Sequence, residues 1–178
     1  MERLHIPLLH RIISFLHPED IVRLGRTSRR MHAMMPEVTL ITELWKGPSF
    51  NMSSAGCGDC HRELYFDGPT LPSTVKDMQL SVVWRDKGHG NRKGQLFMKL
   101  MRPTANGKPK QIAEYPSLFG FAEYHKTKAY KAIRRSDHPV VAEAKAGDFY
   151  RFMKDSGETH GLKVKNFQVQ ATVYTVVY

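Results

Sequence analysis

The residues with the clearest capacity for chemistry lie in one segment, Trp84-Arg-Asp-Lys-Gly-His-Gly-Asn-Arg-Lys-Gly94. Its Gly88-His-Gly90 invites comparison with a phosphate-cradling loop. A dinucleotide fingerprint leads from a strand into a helix, and a Walker loop ends in Gly-Lys-Ser/Thr. This segment instead joins two stretches of alternating hydrophobicity and ends in Gly94-Gln95, so neither pattern applies. What remains is a glycine-rich hairpin whose candidate ligand contacts are Trp84, Arg85, Asp86, His89, Asn91, Arg92 and Lys93. A polar loop held on a rigid sheet is a favourable place for recognition. Asp86, Asn91 and Arg92 can equally pair within the turn and hold its shape.

A second segment, Cys57-Gly-Asp-Cys60-His61, spells Cys-x-x-Cys-His. Covalent haem attachment would require export, a distal ligand and a haem-sized pocket. As a zinc site Cys57, Cys60 and His61 supply three ligands where structural zinc takes four. A redox pair would need a βαβ setting. The reading adopted is two loop cysteines with no metal and no cofactor. The nine histidines are scattered, and none adjoins a serine or cysteine in a nucleophile setting. Residues 76–135 carry four acids against fourteen bases, which gives a glycosidase-like carboxylate pair little footing. The expectation is a non-enzymatic protein.

Charge is distributed unevenly. The net +10 resolves into +3 over residues 1–36, −3 over 37–75, +10 over 76–135 and 0 over 136–178. A basic stretch attracts nucleic acid, anionic membrane or acidic protein, or simply keeps a surface solvated. Direct nucleic-acid binding is the weakest of these, because 76–135 lacks the regular interleaving of aromatics with cations that single-strand binders use. No run of about 18 apolar residues is present to span a membrane. His10 and Arg11 interrupt the apolar run Ile6–Leu16, which Glu2 precedes, so it does not read as a secretory leader. With two cysteines in one short loop, the expected location is cytoplasmic or nuclear.

The elements that must position these residues fall into two periods. Leu8, Leu9, Ile12, Ile13 and Leu16 form a helical stripe. A second helix is predicted from Pro18, with Ile21, Leu24, Ser28, Met31 and Met35 on one side, Gly25 inside it and Pro36 at its end. A piece of about 35 residues buries too little surface to stand alone. It therefore needs a partner or the rest of the chain to cover its stripe. Residues 46–63 are rich in Gly, Pro, Asn and Ser and read as a loop. From Leu64 the period becomes two. Met78, Leu80, Val82 and Trp84 alternate with Gln79, Ser81 and Arg85, and Leu96, Met98 and Leu100 repeat the pattern. Phe167, Val169, Ala171 and Val173 form the last strand, while Leu162 and Val164 hold the opposite parity, which predicts a bulge near Asn166. Turns are signalled at Asn106-Gly107, Ala146-Gly147-Asp148 and Asp155-Ser156-Gly157. The fold class expected is α+β: a short helical module over 1–45, a linker over 46–63 and an antiparallel, jelly-roll-like β-sandwich over 64–178.

Pro7, the Ile12-Ile13-Ser14-Phe15-Leu16 run, Asp20, Leu24 and Ser28-Arg29-Arg30 together resemble an F-box. That resemblance implies docking on the adaptor subunit of a cullin-RING ubiquitin ligase, with Pro7, Leu8, Ile12, Phe15, Leu16 and Leu24 as anchors. Tyr65-Phe66-Asp67-Gly68-Pro69, the Trp84–Gly94 segment, His138-Pro-Val-Val141, Gly147-Asp148 and Val164-Lys-Asn-Phe167 resemble the lectin-like sandwich of F-box-associated and phloem-lectin-like domains. The two resemblances imply a substrate-recognition adaptor whose sandwich grips a protein or glycoprotein. The alternative is a lectin-like or anionic-ligand-binding sandwich whose helices are a structural cap. His89 stands where the resembled form carries tryptophan, which favours an anionic or protein ligand over a plain glycan.

Overall fold

The computed structural model describes residues 6–53, 62–87, 94–157 and 161–177. Among the described residues four helices, α1 (Ile6–Ile13), α2 (Pro18–Gly25), α3 (Arg29–Met34) and α4 (Pro139–Ala142), accompany nine strands. The strands are β1 (Glu37–Lys46), β2 (Phe50–Ser53), β3 (Glu63–Thr70), β4 (Val75–Asp86), β5 (Gln95–Arg102), β6 (Lys110–Tyr115), β7 (Thr127–Arg134), β8 (Phe149–Asp155) and β9 (Gly161–Val177). Two compact units result: one runs to Ile41 and takes in the chain from Tyr174 onward, and the other is Thr42–Val173.

In the helical unit Leu9 and Ile13 of α1 bury against Ile21 of α2, flanked by Leu16, Met31, Met34, Met35, Val38 and Val176. The helix predicted over 18–35 is two helices, not one. It stops at Gly25, where the helix-weakening glycine coincides with a turn, and Ser28 restarts it as the N-cap of α3, accepting the Met31 N–H at 3.1 Å. Pro18 opens α2 with Glu19 and Asp20 in its first turn.

The sandwich consists of an antiparallel sheet in the order β1-β9-β4-β7, with β2 also on β9, and a second sheet in the order β3-β8-β5-β6. That alternation of strands between two sheets is a jelly roll, which pairs strands distant in sequence through two Greek keys. The core between the sheets follows from the predicted alternation. Met78, Leu80, Val82 and Trp84 of β4, Leu96, Met98 and Leu100 of β5, and Phe167, Val169, Ala171 and Val173 of β9 are all buried. Phe66, Phe152 and Phe167 tie β3, β8 and β9 together, with ring centroids 4.7 Å (Phe66–Phe152) and 5.1 Å (Phe152–Phe167) apart. Each such buried side chain contributes about 1.5–3 kcal/mol of transfer free energy.

Two boundary expectations are corrected. Residues 37–45 are not helical: they form most of β1, as suits a run containing Val38, Thr39, Ile41, Thr42 and Trp45. Trp45 enters the sandwich core, 6.0 Å from the Tyr150 ring. The stretch 46–63 is not wholly loop, since β2 lies within it and pairs Phe50 with Val164. Cys57, Cys60 and His61 lie outside the described residues.

Candidate functional site

The site grows out of the end of β4. Inward-pointing residues of that strand alternate with outward ones, and the outward set is Asp77, Gln79, Ser81, Val83 and Arg85. Antiparallel registers on both sides fix what each of these meets. Val83 lies opposite Lys165 of β9 and Lys128 of β7, and Arg85 lies opposite Lys163, with Lys126 just beyond the pair formed by Trp84 and Thr127. Ser81 lies between Gln168 and Tyr130, and Gln79 between Gln170 and Ala132. Directly opposed residues stand about 4.5–5.5 Å apart at Cβ, so like charges placed this way repel.

β9 would not deliver its lysines to this face without a defect. Gln168 and Lys165 differ by an odd number of residues and would face opposite ways in a regular strand. Asn166 resolves the conflict by adopting a left-handed conformation, φ 51°, and the register shifts between Ser81 and Val83. Asparagine tolerates that region better than most residues. The bulge predicted at Asn166 is therefore present, and it places Lys163 and Lys165 on the same face as Gln168 and Gln170.

A cleft of about 230 Å³ opens here, lined by Val83, Trp84, Arg85, Lys126, Lys163 and Lys165. Among the described residues that line it, four are cations and none is an acid. None of those four cations enters an ion pair among the described residues. The crowding is strong enough to hold Lys163 below the ordinary lysine range, through Lys165 first, then burial, then Arg85 and Lys87. An anion in the cleft would relieve that repulsion. The arrangement is suited to holding negative charge.

The residues predicted as ligand contacts divide accordingly. Arg85 is exposed and lines the cleft. Trp84 borders it but is 2% exposed and belongs to the core, 5.7 Å from the Phe119 ring, so its indole is a packing residue rather than a ligand platform. Asp86 is also 2% exposed, and its carboxylate accepts the Gly94 N–H at 3.1 Å. That is the turn-holding role rather than a ligand contact. His89, Asn91, Arg92 and Lys93 lie outside the described residues. Lys126, Lys163 and Lys165 were not among the predicted residues. The signal that could have found them is the paired parity of Lys163 and Lys165 ahead of a predicted bulge. His138, which precedes a proline, caps α4 by accepting the Val140 N–H at 3.1 Å.

In the helical unit the residues named as adaptor anchors also divide. Leu8, Ile12 and Phe15 are exposed, Phe15 by 82%, and Pro7 is exposed as well. Leu16 is partly buried in the unit's own cluster, and Leu24 is half-buried. Among the described residues no group of three or more His, Cys, Asp or Glu side chains could hold a metal, and no helix is long and apolar enough to cross a membrane.

The sequence matches no protein-family profile and no curated protein sequence. Solved structures similar to the chain include the VP2 subviral particle of infectious bursal disease virus, at 8% identity and TM-score 0.49 over 78% of this chain and 33% of that one. The chain thus spans about a third of that protein. A family 16 carbohydrate-binding module is similar at 11% identity and TM-score 0.43, over 68% of this chain and 74% of that one. The CBM22-1 xylan-binding domain of Paenibacillus barcinonensis Xyn10C is similar at 10% identity and TM-score 0.34, over 75% and 85% of the respective chains.

Proposed function

We propose that the sandwich is a recognition domain that takes up a negatively charged ligand on the outer face of the β9-β4-β7 sheet. The observation that carries this reading is the cleft whose described lining residues include four cations and no acid. Like charges brought together by strand register destabilise the fold locally, and a bound anion offsets that cost. Dextran sulfate offered to the full chain in a salt titration provides the test. Binding that weakens steeply as salt rises, and that the double variant Lys163→Gln/Lys165→Gln loses, supports the reading. Absence of binding at low salt, or binding that the double variant retains, refutes it.

A second reading is favoured by the exposed side chains of Leu8, Ile12 and Phe15 on one side of α1 and the turn after it. Large apolar groups clustered in water suit a protein partner. In this reading the helical unit is an F-box that docks on the adaptor subunit of a cullin-RING ubiquitin ligase, and the sandwich supplies the grip on a substrate. Co-purification with that adaptor tests it: the triple variant Leu8→Ala/Ile12→Ala/Phe15→Ala should abolish the association, and unchanged capture would reject the docking role.

A further inference from the structure

The cleft is one end of a longer surface. Moving along β4 away from Arg85, the outward positions change from cationic to neutral and polar: Ser81 between Gln168 and Tyr130, then Gln79 between Gln170 and Ala132. The rise of about 3.3 Å per residue places the Gln79 row some 20 Å from the Arg85 row. No side-chain hydrogen bond joins Gln79, Gln168, Gln170 or Ser81 to another described residue. Tyr130 stands out of this row 65% exposed, with Lys128 Nζ 5.0 Å from its ring centroid. The row ends at Asp77, which lies opposite Arg134 of β7 and whose carboxylate accepts the Thr172 hydroxyl at 2.9 Å.

From this order of side chains we infer that the anionic ligand is an acidic glycan, lying along the sheet with its sulfated or carboxylated end in the cleft. This deepens the anionic-ligand reading above and rests on it. Three chemistries have to coincide. Primary amides and hydroxyls each donate and accept hydrogen bonds, as sugar hydroxyls do. An exposed tyrosine ring offers an apolar face together with a polar edge, which suits the C–H face of a pyranose. A sugar stacked on Tyr130 has Lys128 next to it and the Lys163–Lys165–Arg85 group ahead of it, while Arg134 at the far end lies opposite the acid Asp77. A single-stranded nucleic acid is the poorer fit. It needs a cationic track along its whole length and repeated stacking platforms, whereas here the Ser81 and Gln79 rows carry no cation and Tyr130 is the ring that stands in them.

The test uses the full chain, calorimetric titration and three probes: a heparin-derived oligosaccharide, a neutral chito-oligosaccharide of similar length, and an oligothymidylate of similar charge. The heparin fragment should bind, the chito-oligosaccharide should not be measurably bound, and the oligothymidylate should bind at least several-fold more weakly. Tyr130→Ala should weaken the heparin fragment by about tenfold, the order of one aromatic contact. Tyr130→Phe, which keeps the ring, should retain most of the affinity. Melting temperatures of both variants should match the parent, because the side chain is exposed. If the oligothymidylate binds as tightly as the heparin fragment, or Tyr130→Ala changes nothing while Lys163→Gln/Lys165→Gln abolishes binding, the glycan assignment falls and the anionic cleft stands. If no polyanion binds, both fall.

Discussion

Asp86 separates a structural role from a ligand-binding one, because the two roles predict opposite results for the same variant. Its carboxylate is buried and accepts the N–H of Gly94, so it closes the base of the β4–β5 connection. The surroundings are tight and hydrogen-bonded. The Asp86 N–H donates to Glu123 O at 2.7 Å, the Ala122 N–H donates to Gly94 O at 2.9 Å, and the Lys87 N–H donates to Gly161 O at 2.7 Å. Leu162 Cδ1 lies 2.9 Å from where a Cβ on Gly94 would stand, which leaves little room for a replacement water. Asp86→Ala therefore strands a buried N–H that had a charged acceptor. The penalty for such a group is about 1–3 kcal/mol, and the ionised acceptor places this one in the upper half. About 2–3 kcal/mol corresponds to a fall in melting temperature of roughly 5–10 °C for a chain of this size. Asp86→Asn keeps an acceptor oxygen and should cost about half as much. Urea denaturation followed by tryptophan fluorescence measures both. An Asp86→Ala midpoint equivalent to less than about 0.5 kcal/mol of change, together with lost anion binding, would refute the structural role and restore Asp86 as a ligand contact.

Asp148 offers a second stability test. It is 1% exposed and accepts from Arg102 Nε at 2.8 Å, Arg102 Nη2 at 2.9 Å and the Lys145 N–H at 3.0 Å. Asp148→Ala should cost about 2–4 kcal/mol by urea midpoint, and Arg102→Lys should cost less but not zero, because an ammonium cannot span both oxygens. Lys163 gives a pH dependence. Its charged form is disfavoured in the fold, so the unfolded chain binds the proton more readily, and stability should rise as pH climbs through the lowered value towards the ordinary 10.5. Anion affinity should fall over the same window, and Lys165→Gln should move the Lys163 titration upward when followed by NMR at its Cε. In the helical unit, Ile13→Ala should cost about 2–4 kcal/mol, read as increased proteolysis of residues 6–35, because Ile13 is 1% exposed. Phe15→Ala should leave proteolysis unchanged, because that ring lies in water.

Much of the sandwich was legible because burial on one face imposes a period of two. The inward sets of β4 and β9 were read residue by residue, and the parity conflict between Val164 and Phe167 located the bulge. In β5 the pattern underdetermined the strand, since Phe97 is buried as well as Leu96 and Met98, with the Arg62 guanidinium 3.9 Å above its ring. β1 was hidden by its position directly after a helical stripe, where hydrophobic residues serve either period. The site was half legible. Arg85 stood out within a segment of dense charge, but Lys163 and Lys165 lie in a stretch whose charges sum to zero. Charge counted along the chain averages over neighbours in sequence, whereas repulsion acts between neighbours in space, and only the β4–β9 register makes these three adjacent.

The left-handed residue at Asn166 works as a phase shifter between two messages written on one strand. Residues 161–165 and 167–173 can each vary under their own rule of alternation, one spelling cations and the other amides, and the odd spacing between them is absorbed at a single position. Asn166→Gly should be tolerated, since glycine adopts that backbone readily. Removing Asn166 leaves Lys165 and Gln168 two positions apart, so a continuous period of two keeps the lysines, the amides and Phe167 on their present faces. A β-branched residue at 166, which resists the left-handed backbone, turns one half of the strand over if it straightens the chain without shortening it. At this length the left-handed backbone at 166 is thus what keeps the two halves in phase, and substitution can proceed on either side of it.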